Sequence, residues 1–153
     1  VHLIVIGSGP QSGTLKSLTQ ELGLIEQIHF LGQVDEQEKF KLLMMADMYV
    51  STSQHEGFGL VYLEAMASNL PVVCYDYGGQ TDFLSSGYVR KLNDEQAFLD
   101  ACNTLINHPD QRYSMAGHNI RAVEAFYIDQ CADRHLDLFE RIIEQHRNKF
   151  KPV

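Results

Sequence analysis

Short β-branched runs, glycines and amphipathic stretches follow one another in a repeated order along the first half of the chain. His2, Leu3, Ile4, Val5 and Ile6 stop at Gly7 and Gly9, after which Leu15, Leu18 and Leu22 recur at helical spacing. This order predicts a strand, a glycine turn and a helix. The unit then repeats. A strand is expected at 28–31, closed by Gly32, and a helix over 36–46 carrying Phe40, Leu43 and Met44. A strand at 48–51, a glycine loop, a helix over 60–68 and a strand at 71–75 follow. Alternation of this kind implies an α/β fold whose parallel strands carry helices on both faces. Past Gly78 and Gly79 the pattern loosens to a short strand at 88–90 and helices over 94–107, 110–127 and 129–149, a helical C-terminus. No segment has the composition of a dividing linker or a signal peptide.

Bulk properties narrow the function without naming it. The 153 residues suit one domain, which would bury roughly two-thirds of its unfolded surface and need no disulfide or metal staple. A net charge of −8 argues against a nucleic-acid partner, which asks for a basic face. Cys74, Cys102 and Cys131 stand singly, outside any zinc or redox spacing, and read as reduced thiols of an intracellular protein. No Asp-x-Asp pair is present, so no metal cofactor is expected. The tail carries Arg134, Arg141, Arg147, Lys149 and Lys151 with Phe139, Ile142, Ile143 and Phe150 between them. Its pattern fits an ordinary amphipathic helix packed by one face, or a peripheral contact with an anionic membrane.

The segment with chemistry in it is QHEGFGLVYLEAMASNL, residues 54–70, between two predicted strands. Gly57 and Gly59 remove side chains where backbone can approach a ligand closely. The first N–H groups of the following helix, about Gly59 to Tyr62, lack helical acceptors and suit a diphosphate. Glu56 and Glu64 flank that anion site, and ionised carboxylates accept hydrogen bonds from vicinal hydroxyls of a sugar or ribose. Each feature alone has an ordinary structural explanation. A glycine turn before a helix is common, and a lone glutamate on a helix is usually just exposed. Together they outline a sugar nucleotide.

EGFGLVYLEAMA at 56–67, followed by LPVV at 70–73 and Gly78 with Gly79, resembles the signature of family 4 retaining glycosyltransferases. VIGSGP at 5–10, FLG at 30–32 and ADMYVS at 46–51 match the same order and spacing, so the likeness covers about residues 2–92. It implies one Rossmann-like, doubly wound half of a two-domain GT-B enzyme, binding a nucleotide sugar and using no metal. The acceptor glycan or lipid would be held by a separate N-terminal half. By that resemblance Glu56 is the catalytic carboxylate touching the donor sugar and Glu64 binds the ribose. Backbone around Gly57, Phe58, Gly59 and Leu60 approaches the diphosphate and sugar, Gly7 and Gly9 belong to the donor site, and Val34 with Lys39 lies where the base sits. A cytoplasmic location, at the membrane's cytoplasmic face, goes with this reading.

Two departures stand out. The family's usual Arg and Lys precede the first residue of this chain, and Gly79, Gln80, Thr81 and Asp82 replace its commoner glycine, small residue, proline, glutamate run. In the strand order 3-2-1-4-5-6 the strand at 2–6 would be number 2 and that at 48–52 number 4. The middle strand would then lie upstream. Either the two flanking strands close on each other, or their free edges favour self-association. A sugar-nucleotide epimerase on the same scaffold and a non-catalytic nucleotide-sugar-binding domain are the alternative functions.

Overall fold

The computed structural model describes residues 1–84, 88–91 and 94–149, so Phe150 and Lys151 of the basic tail lie outside it. The chain forms two compact units, Val1–Met45 and Ala46–Val153. No proline, glycine or serine cluster marks that boundary, which is why the sequence shows no linker there.

In the first unit, strand β1 (Leu3–Ile6) leads to helix α1 (Ser12–Glu21), strand β2 (Ile28–Gly32) and helix α2 (Glu36–Met45). The two strands pair in parallel with Leu3 opposite Ile28 and Val5 opposite Phe30. Helix α2 begins where expected because Asp35 caps it, its Oδ1 accepting from the Glu38 N–H at 2.8 Å, with Glu36 and Glu38 in the positive first turn. Thr19 and Leu43 are buried here, whereas Leu3, Ile4, Leu15, Leu18 and Leu22 remain exposed.

The second unit holds the core. Its elements are β3 (Tyr49–Ser51), α3 (Leu60–Ala67), β4 (Val72–Asp76), β5 (Tyr88–Lys91), α4 (Glu95–Asn107), α5 (Pro109–Val123) and α6 (Ile128–Lys149). The sheet order is β3-β4-β5, all parallel, with Val50 beside Val73 and Val73 beside Tyr88. Strand β4 is central and buried through Tyr75, hence its unbroken apolar run. Val73 and Tyr75 pack against Phe98, Ala101 and Leu105 of α4, with Val50, Cys102 and Met115 around them. Asp94 caps α4 through a 3.0 Å bond from the Ala97 N–H, and Arg112 closes its far end by donating to the Leu105 and Ile106 carbonyls. The Asn119 Nδ2 of α5 reaches back 49 residues to the Leu70 carbonyl at 2.8 Å, tying α5 to the turn that feeds β4.

These elements make the α/β fold with parallel strands expected from the alternation. The pairings β1-β2 and β3-β4-β5 are those that strands 2, 3, 4, 5 and 6 of the doubly wound order require. One helix expected over 110–127 is instead α5 followed by a 3-10 turn at Glu124–Phe126. Along α6 the apolar stripe of Ile128, Phe139, Ile142 and Ile143 is exposed. At 100° per residue Asp129, Asp133, Asp137, Glu140 and Glu144 fall on one flank of that stripe together with Arg147, and Arg134 and Arg141 on the other. The helix therefore carries charge of both signs around its apolar stripe. No helix among the described residues is long and apolar enough to cross a membrane.

All three cysteines are free thiols. Burial, and then the Asp76 carboxylate, push the Cys74 thiol up to about 12, and burial also raises Cys102. At pH 8 roughly one Cys74 in ten thousand would be thiolate, the form that reacts. Alkylation of the native chain is expected to spare Cys74 and to mark half-exposed Cys131, with Cys74 labelled only in denaturant. Peptide mass spectrometry after a short alkylation pulse checks this, and early labelling of Cys74 would contradict the packing around β4.

Candidate functional site

The predicted site residues fall in both units. Gly7, Gly9, Val34 and Lys39 belong to the first, where Gly7 follows β1 and its N–H donates to the Gly32 carbonyl at 2.6 Å. That bond places the glycine turn after β1 beside the turn after β2, which carries Val34. Lys39 stands in the first turn of α2 with its ammonium 4.9 Å from the centre of the Phe40 ring.

The second unit brings together Glu56, Gly57, Phe58, Gly59, Leu60 and Glu64, and adds a partner for their loop. The segment leaving β3 is turned by Ser51, whose Oγ accepts from the Ser53 N–H at 3.3 Å and from the Tyr62 hydroxyl at 3.1 Å. Helix α3 then starts at Gly59, which has φ of 85° and carries no side-chain cap. A Cβ there would sit 2.5 Å from the Tyr62 ring, so both the backbone conformation and the neighbour demand glycine. The Tyr62 N–H, expected among the unpaired groups of the helix start, instead donates to the Gly59 carbonyl at 3.0 Å.

The loop rests on the turn after β4. The Gly79 N–H donates to the Glu56 carbonyl at 3.2 Å, and a Cβ on Gly79 would come within 2.1 Å of the Gly57 carbonyl oxygen. Phe58 packs on Phe83 and Phe126 at centroid distances of 5.3 and 6.1 Å. The loop is thus held backbone against backbone on one side and ring against ring on another.

Glu56 and Glu64 are half-buried. Their charges converge on Tyr49, whose phenol is pushed up to about 12 by burial first, then by Tyr62 and by the Glu56 and Glu64 carboxylates. Tyr49 meets the Tyr62 ring edge-on at 5.8 Å. These two tyrosines and Gln80, buried under the loop, are residues that motif reading passes over. Of the three only Gln80 stands beside a glycine, and no local signal marks the two tyrosines. Among the described residues no group of three His, Cys, Asp or Glu side chains is gathered to hold a metal ion.

Comparison with known proteins gives this geometry a family. The family model of glycosyl transferases group 1 matches residues 1–122. A phosphatidyl-myo-inositol mannosyltransferase of Mycobacterium leprae is 32% identical over 146 residues, 93% of this chain and 38% of its own length. The chain thus spans a little over a third of the curated relatives it matches. Among solved structures, S. aureus TarM in complex with Fondaparinux, alpha-GlcNAc-glycerol and UDP superposes with a TM-score of 0.81 at 25% identity, over 91% of this chain and 29% of that one. The C-terminal domain of a glycosyl transferase group 1 protein, LpcC from Francisella tularensis, gives a TM-score of 0.72 at 30% identity, over 82% of this chain and 69% of that one. With its parallel sheet, its glycine loop and a family match over most of its length, the chain belongs to the glycosyl transferases group 1.

Proposed function

We propose that the chain is the donor-binding half of a retaining glycosyltransferase. It would move a hexose-type sugar from a nucleoside diphosphate sugar to a glycan, lipid or cell-surface polysaccharide held by a further, N-terminal domain. The observation that carries this reading is the glycine loop seated against Gly79, with Glu56 before it, Glu64 one helical turn into α3, and both carboxylates bearing on Tyr49. The UDP in the TarM complex supports a nucleotide as ligand, and the lipid acceptor in the name of the M. leprae relative fits work at the cytoplasmic face of a membrane.

In the reaction, the bond from the anomeric carbon to the diphosphate oxygen breaks and the acceptor oxygen bonds to the same carbon on the same face. The acceptor proton passes to the departing phosphate. Charge grows on the diphosphate, where amides around Phe58, Gly59 and Leu60 would stabilise it. Glu56 would hold the sugar hydroxyls, Glu64 the ribose, and Val34 with Lys39 the base. Gly7 and Gly9 would line the donor's path, and the chemistry calls on no metal.

Glu64→Ala is expected to weaken nucleoside diphosphate binding by about 1.5–3 kcal/mol, the worth of hydrogen bonds to an ionised partner. Glu56→Ala should spare the nucleoside diphosphate and weaken only the sugar-bearing donor. Calorimetric titration of both variants with UDP, GDP and ADP and with their sugars tests the assignment. Equal, negligible effects of both substitutions would overturn it.

A further inference from the structure

Gln80 occupies the first turn of the 3-10 segment Gly79–Asp82 and is fully buried. Its Nε2 donates to two main-chain carbonyls at the end of β4, Tyr75 at 3.0 Å and Tyr77 at 2.6 Å. Two acceptors fix which way the carboxamide faces, because turning it would set oxygen against oxygen. In that orientation Oε1 is buried with no hydrogen-bond partner among the described residues. It faces the glycine turn, 2.8 Å from where a Cβ on Gly78 would stand, while the Cβ of Gln80 lies 3.7 Å from where one on Gly59 would stand. The side chain therefore touches both halves of the loop contact, the Gly78 and Gly79 turn and the start of α3.

An apolar side chain of similar length would fill this space without an unpaired Oε1, but it would take the donor away from the Tyr75 and Tyr77 carbonyls, so filling the space does not by itself account for the choice of glutamine. Buried polar groups are almost always paired, and an exception calls for a role. What the carboxamide does, and an apolar group cannot, is to hold the Tyr75 and Tyr77 carbonyls together and so set the path of the chain into Gly78 and Gly79. The 56–59 loop rests directly on that path.

We propose that Gln80 is a positioning residue for donor binding, its side-chain amide setting the turn after β4 on which the donor loop is seated. This rests on the donor-binding reading above. The test uses Gln80→Met, which keeps the volume and loses both donated bonds, and Gln80→Glu, which at neutral pH sets a carboxylate against the two carbonyls and at acid pH regains one O–H donor. Each is titrated calorimetrically with UDP-, GDP- and ADP-sugars beside the unmodified chain, well below melting temperatures measured in parallel.

Gln80→Met is expected to lose roughly tenfold to a hundredfold in affinity, the scale of the two hydrogen bonds that set the turn. Gln80→Glu should lose affinity at pH 8 and recover it towards pH 5 relative to the unmodified chain. Unchanged affinity in both variants at all pH values, with or without a lower melting temperature, would overturn the proposal and leave the donor-binding reading standing. If the unmodified chain binds none of the three donors, both fall.

Discussion

Gly79→Ala is expected to be the most damaging single-methyl change in the second unit. Its Cβ would lie 2.1 Å from the Gly57 carbonyl oxygen and 3.0 Å from the Phe58 Cα, both backbone atoms that no rotamer change can move aside. Overpacking of this kind costs about 1–3 kcal/mol or more, and here the relief is displacement of the 56–59 loop itself. Donor affinity should fall by roughly a hundredfold along with stability. Gly59→Ala should follow it closely, with backbone strain of about 1–3 kcal/mol added to a clash with the Tyr62 ring. Gly57→Ala is the internal control. Its Cβ would meet open space, so stability should stay within about 0.5 kcal/mol. Urea midpoints and donor titrations on the three variants decide the matter. A Gly79→Ala protein as stable as Gly57→Ala would mean that the two segments do not touch.

Asn119→Leu should cost about 1–3 kcal/mol, since it strands the buried Leu70 carbonyl that Asn119 now satisfies. Asn119→Asp should cost more, because it sets an oxygen where the donating nitrogen stood. The order is diagnostic: if packing of α5 were the whole role of the residue, the leucine variant would be tolerated. Denaturant midpoints at pH 7 measure both. A leucine variant as stable as the original chain would remove the bond between α5 and the turn into β4 from any account of the fold.

Sequence pattern carries the order of strands and helices well wherever a local rule decides them. Apolar spacing places α2, whose start Asp35 caps in the structure, and the run from Val72 to Tyr75 reads as a strand because parallel strands are apolar on both faces. The glycine loop before α3 is legible for the same reason, its glycines and glutamates being local. Long-range partners are not. Nothing around Gln80 says that its nitrogen bonds Tyr75 and Tyr77, nothing around Tyr62 says that its ring lies under Gly59, and the Asn119 contact spans 49 residues. The break at Glu124 also escapes notice, since Glu124, Ala125 and Phe126 have no turn former among them and the 3-10 turn is set by tertiary packing of Phe126 on Phe58 and Phe83. The division after Met45 is similarly silent, the composition running on unchanged.

The close approach of Gly79 to Gly57 limits how this protein can be re-engineered. A loop exchanged with a relative at residues 54–60 would land on a turn shaped for a different backbone, because the loop's main chain lies so close to that turn that neither Gly78 nor Gly79 has room for a side chain. The transplantable unit is accordingly discontinuous, residues 54–60 together with 75–81, and a chimera carrying only the first piece should fold around a misplaced loop. Selection faces the same constraint: a change of donor that requires the loop to shift needs a matching change some twenty residues downstream, so the two stretches are expected to vary together.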